Sequence, residues 1–147
     1  MNTNILLNRR FAVVASFVLI TLAACSGMGS SGGAMTGTML AGDQEVPPVV
    51  TSAHGMSMIT VAADGSVSGS VKTMGVAGTM AHIHMAPMGK NGPVIVPLTQ
   101  AADGVWSVPS GARLTPEQLK SYQAGELYVN VHSAANKGGE IRAQLKP

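Results

Sequence analysis

Thr79-Met80-Ala81-His82-Ile83-His84-Met85 is the stretch that decides how this chain folds. Successive side chains of a β-strand point to opposite faces, so residues two apart share a face. Met80, His82 and His84 therefore project together, while Ala81, Ile83 and Met85 face the other way, toward a core. Tyr128-Val129-Asn130-Val131-His132 alternates in the same manner, with Val129 and Val131 on one face and Asn130 and His132 on the other. If these two strands are neighbours, three of the four histidines converge.

The flanking sequence also reads as short strands. Met58 to Ala62 is an apolar run, and Val67, Gly69 and Val71 alternate with Ser66, Ser68, Ser70 and Lys72; Asp64-Gly65 between them predicts a hairpin. Val94 to Leu98 is short and apolar, and Pro97 places it at a sheet edge or a strand end. Asp103-Gly104 predicts a turn before Val105 to Val108. Leu127 to His132 and Ile141 to Leu145 form a last pair, joined by the turn-rich Ser133 to Gly139. One helix is predicted: Thr115 is an N-cap residue, Pro116 fits the first helical position, and Gln118 completes a capping box. Leu119 and Tyr122 lie on one face of it, and Gly125 is placed to end it. Short strands, frequent turns and one short helix predict an all-β domain, a β-sandwich or barrel.

The N-terminus predicts export. Arg9 and Arg10 precede an apolar run from Phe11 to Ala24, the charged and hydrophobic regions of a secretory signal peptide. The run is short for a transmembrane helix. Leu22-Ala23-Ala24-Cys25-Ser26 resembles the lipobox of bacterial lipoproteins, and Cys25 is the only cysteine. The resemblance implies removal of residues 1–24, a diacylglyceryl group on Cys25, and anchoring of the protein to a membrane of the cell envelope. Ser26 after that cysteine implies the outer membrane, facing the periplasm or the cell surface. Residues 25–38 then form a Gly/Ser-rich tether, and residues 39–147 form one domain.

Without the signal peptide the chain has seven basic and seven acidic side chains. No basic cluster tracks a helix or groove, so nucleic acid is not an expected partner. Both phenylalanines fall in the signal peptide, leaving Trp106, Tyr122 and Tyr128 as the large aromatics. The core is thus expected to be Val, Ile, Leu, Ala and Met, with no aromatic platform for sugars or bases.

Three ordered stretches resemble the CHRD domain, a family first recognised in chordin. Leu40-Ala41-Gly42-Asp43-Gln44-Glu45-Val46-Pro47-Pro48-Val49 is similar to its opening motif. Ala81-His82-Ile83-His84 with Gly89-Lys90-Asn91-Gly92-Pro93-Val94 is similar to its central one. Gly125 to His132 with Gly138-Gly139-Glu140-Ile141-Arg142 is similar to its closing one. Lys137 and Ala143 depart from the common Pro and Gly without touching the histidines. The resemblance implies a Greek-key β-sandwich of the copper/zinc superoxide dismutase type.

Imidazole suits copper and zinc, so His82, His84 and His132 are candidate metal ligands. Affinity among first-row divalent ions peaks at Cu(II), which makes copper the first expectation and zinc the alternative. Met80 shares the face of His82 and His84 and is the candidate auxiliary ligand, because thioether sulfur suits Cu(I). Asn130 and Glu140, with Glu45, are candidates to orient the imidazoles. His54 shares parity with Met56 and Met58 but is expected in an exposed loop; Met85 is expected in the core, and Met28 and Met35 to be incidental. The competing reading is a structural or protein-interaction module without metal, its protein partner unspecified by the sequence. An enzyme is not expected: there is no dismutase-like set of four copper histidines with a bridging His, nor a hydrolytic triad or carboxylate pair.

Overall fold

The computed structural model describes residues 37–147, together with Met1. The signal peptide, Cys25, Met28, Met35 and nearly all of the tether lie outside the described residues. Those described contain eleven strands and one α-helix: β1 (Thr38–Ala41), β2 (His54–Ser57), β3 (Thr60–Val61), β4 (Val67–Ser68), β5 (Ser70–Met74), β6 (Gly78–Met85), β7 (Val94–Pro97), β8 (Thr99–Ala102), β9 (Val105–Ser107), α1 (Pro116–Gln123), β10 (Leu127–Ser133) and β11 (Ile141–Gln144). The expected all-β architecture with one short helix is the one observed.

Nine strands form one sheet in the order β7-β6-β10-β11-β1-β2-β5-β9-β8, antiparallel at every pairing. Its two edge strands follow one another in sequence, and the Leu98 N–H between them bonds to Ala81 O at 2.9 Å. The sheet thus nearly closes on itself and its halves face each other across one core. Leu40, Val71, Ile83, Leu127, Val129, Val131 and Ile141 are fully buried there, each contributing on the order of 1.5–3 kcal/mol by removing its apolar surface from water. Trp106 of β9 reaches across to Val131 of β10 beside Gly78. Met85 packs against this core as expected.

Two elements match the sequence closely. Thr115 caps α1 through Oγ1, which accepts from the Gln118 N–H at 3.2 Å, while the Thr115 N–H donates to Gln118 Oε1 at 2.9 Å. At its other end Gly125 and Glu126 donate to Tyr122 O and Ser121 O, the paired bonds of a Schellman motif. Leu119 and Tyr122 pack on the core. Asp64-Gly65 turns the β3–β4 hairpin, and Asp64 accepts from Ser66 and Arg113.

Three expectations need correction. Met58 to Ala62 is not one strand: only Thr60 and Val61 pair with β4. The alternation from Val67 to Val71 breaks at Gly69, whose φ is +110°. A Cβ there would collide with Met58 O, so this close crossing of backbones requires glycine. His54 lies in strand β2 rather than a loop, paired on both sides.

Candidate metal centre

The outer face of β6, β10 and β11 is where the histidines meet. Register places His82 opposite Asn130, His84 opposite Tyr128 and Met80 opposite His132. Arg142 and Gln144 of β11 extend the same face beside Asn130 and Tyr128. An outer sheet face is ordinarily solvated, yet every residue of β10 and β11 is buried on both faces. The segments before β2, after β6 and before β11 cover it. Two bonds from Asn91 tie the covering together: its Nδ2 donates to Val46 O at 2.8 Å, and its Oδ1 accepts from Arg142 Nη1 at 3.3 Å.

Three ligand nitrogens, one each from His82, His84 and His132, all lie within 4.8 Å of one another. His82 Nδ1 is 3.0 Å from His132 Nε2. Backbone carbonyls fix two of the rings: His84 Nδ1 lies 2.9 Å from Gly92 O, and His132 Nδ1 lies 2.9 Å from Lys137 O. A carbonyl oxygen only accepts, so each Nδ1 carries the proton and each Nε2 presents its lone pair to the cluster. Nε2 of His84 is buried with no hydrogen-bond partner, which leaves it free for a ligand.

The ring of His84 stacks on Tyr128, with centroids 4.7 Å apart and an interplanar angle of 5°. The Tyr128 hydroxyl accepts from the Gly92 N–H at 3.3 Å, so one residue holds both the ring and its carbonyl partner. Arg142 Cζ lies 3.3 Å from the Tyr128 centroid on the same ring. It is 1 % exposed and donates to Lys90 O at 2.8 Å.

Burial is the main cause of the electrostatics here. It lowers the pKa of His82, with the neighbouring His132 and His84 adding to the effect. Burial also lowers that of His84, against the Gly92 carbonyl, which favours the charged ring. Both rings are thereby held toward the neutral, ligating form. Burial pushes Glu45 from 4.5 up to about 7, despite the Arg142 charge and a hydrogen bond from Asn130.

The chain matches the family model of the CHRD domain over residues 36–145. It belongs to the CHRD family. No curated protein and no solved structure matches it.

Within this CHRD domain the anticipated residues take different places. His82, His84 and His132 come together, and Asn130 sits among them, close to both His84 and Glu45. Met80 stands at the rim, 49 % exposed. Glu140 does not orient an imidazole: its Oε1 accepts from Thr51 Oγ1 at 2.9 Å, and Ser133 and Asn136 bond it as well. The carbonyls of Gly92 and Lys137 do the orienting. Tyr128, Arg142 and Gly92 were not anticipated at the site. Parity with His132 would have placed Tyr128 on this face; only the folded loop brings Gly92 O to His84.

Gly139 shows how tightly the covering is built. Its φ is +130°, and a Cβ there would collide with Glu45 Oε1 and lie 2.6 Å from Asn130 Nδ2. The glycine lets the Glu45 and Asn130 side chains meet beneath the last turn.

Proposed function

We propose that this CHRD-domain protein binds a copper-type ion through His82 Nδ1, His84 Nε2 and His132 Nε2, with zinc as the alternative. The observation that carries the reading is the buried, unpartnered Nε2 of His84 in a cluster where carbonyls already orient its own ring and that of His132. The donor set fits a metal. Nitrogens 3.0 Å apart can both reach one ion at about 2.0–2.1 Å. Two ligands at that distance are at most roughly 4.2 Å apart, so the widest pair would close by less than about 1 Å. His82, the half-buried member, is the ring with room to do this. In the folded protein its Nδ1 takes part in a hydrogen bond that an ion at the cluster would replace.

Export and lipidation through Cys25 belong to the same proposal and rest on the sequence alone. A membrane-tethered extracytoplasmic domain with one such site suits metal binding, buffering or delivery, and the reading is of a binding module rather than an enzyme. Titration of the purified protein with a divalent ion, Cu(II) or Zn(II), with His82→Ala and His132→Ala as controls, tests it. One ion per chain, lost in both variants, is the expected outcome. Unchanged stoichiometry in the variants, or no metal bound by the wild type, would favour the structural or interaction module instead.

A further inference from the structure

The outer face of β1, β2 and β5 carries a second set of soft donors, on strands that pair with neither β6 nor β10. Antiparallel register sets Met39 directly opposite Met56, and His54 directly opposite Met74. His54 and Met56 are two apart on β2 and share this face. Opposed Cβ atoms are about 5 Å apart and diagonal ones about 7–8 Å, so His54, Met56 and Met74 on the adjacent β2 and β5 are within reach of flexible methionine side chains. Met39, by contrast, lies on the far side of β2 from Met74. Met39, Met56 and Met74 are 51, 37 and 66 % exposed.

Core filling explains Met85 but not these three, because none of them packs in the core cluster. The Met56 thioether turns over Gly37, toward the start of β1; a Cβ at Gly37 would lie 2.6 Å from Met56 Cγ. His54 Nδ1 lies 3.2 Å from Ser52 O, so it carries the proton and the lone pair of Nε2 faces outward. Lys72, opposite Met56, adds one positive charge to the patch, which repels a divalent cation more than a monovalent one. The Met56 and Met74 thioethers and the His54 imidazole form a soft donor set, the type that selects Cu(I).

We propose that this face is a second metal site, specific for a soft monovalent ion, with His54 Nε2 and the sulfurs of Met56 and Met74 as ligands, the Met56 thioether swinging from Gly37 toward His54 to reach it. The site does not depend on occupancy of the three-histidine cluster. It would take Cu(I), for which Ag(I) is a redox-inert probe.

The test uses the purified full-length protein. Ag(I) is titrated against the methionine methyl resonances, and Cu(I) is titrated anaerobically against a chromophoric chelator. The methyl signals of Met56 and Met74 are expected to shift and saturate together. The Met56→Leu/Met74→Leu double variant is expected to bind one Cu(I) fewer, or to bind it at least tenfold more weakly. His82→Ala/His132→Ala is expected to keep that ion. Leucine retains the volume at these exposed positions, and an unchanged melting temperature confirms the fold. Immobile Met56 and Met74 signals, or full Cu(I) stoichiometry in the leucine variant, would overturn the proposal.

Discussion

The covered face of β6, β10 and β11 and the open face of β1, β2 and β5 are outer faces of one sheet, and they hold their histidines in opposite ways. On the covered face, loops bury the imidazoles, supply the Gly92 and Lys137 carbonyls and leave His84 Nε2 without a partner. On the open face, His54 has only a local bond to Ser52 O and its methionine neighbours stand in solvent. Strand parity gathers side chains, whereas a preorganised site requires a covering that fixes their orientation.

Replacing the floor of the covered face should separate the two faces most sharply. Tyr128→Leu removes the ring on which His84 stacks and on which Arg142 rests. Affinity for the ion is expected to fall roughly 10–100-fold, with a stability loss of about 2–3 kcal/mol, measured by metal competition and denaturant unfolding. Affinity at the open face should not change. Gly139→Ala acts on the covering itself: with φ at +130° and Glu45 and Asn130 in the way, it should cost about 2 kcal/mol in unfolding experiments.

The covered face should also give stability a pH dependence. Glu45 has its pKa raised from 4.5 to about 7, chiefly by burial. A group raised in the folded state stabilises fully below its ordinary value, and the contribution fades as pH rises through about 7. Unfolding free energy should therefore fall between pH 5 and pH 8 by on the order of 1–2 kcal/mol from this group, and Glu45→Gln should flatten that slope. Met80→Leu, at the rim between cover and solvent, is expected to do least: less than about threefold in Cu(II) affinity, since imidazole nitrogens dominate that ion. A larger effect would make Met80 a ligand in its own right.

Much of this architecture is legible in the sequence because period-two alternation is strict in β6 and β10, and because Asp64-Gly65 and Thr115 to Gln118 are strong local signals. The missed strands lack such signals. Thr99–Ala102 is exposed at every position, so no apolar alternation marks it, and His54–Ser57 has a glycine at its centre. At the site, the convergence of three histidines was readable, but their orientation was not. It depends on loop carbonyls, and a backbone group carries no side-chain signature. Glu140 was misplaced for a related reason: its chain position suited an imidazole, but the fold brings Thr51 to it instead.

The most direct test is electron paramagnetic resonance of the protein loaded with one equivalent of Cu(II). A single copper species is expected, whose nitrogen couplings report three imidazoles, reduced to two in His84→Ala. A spectrum without imidazole couplings, or one unchanged by that substitution, would contradict it.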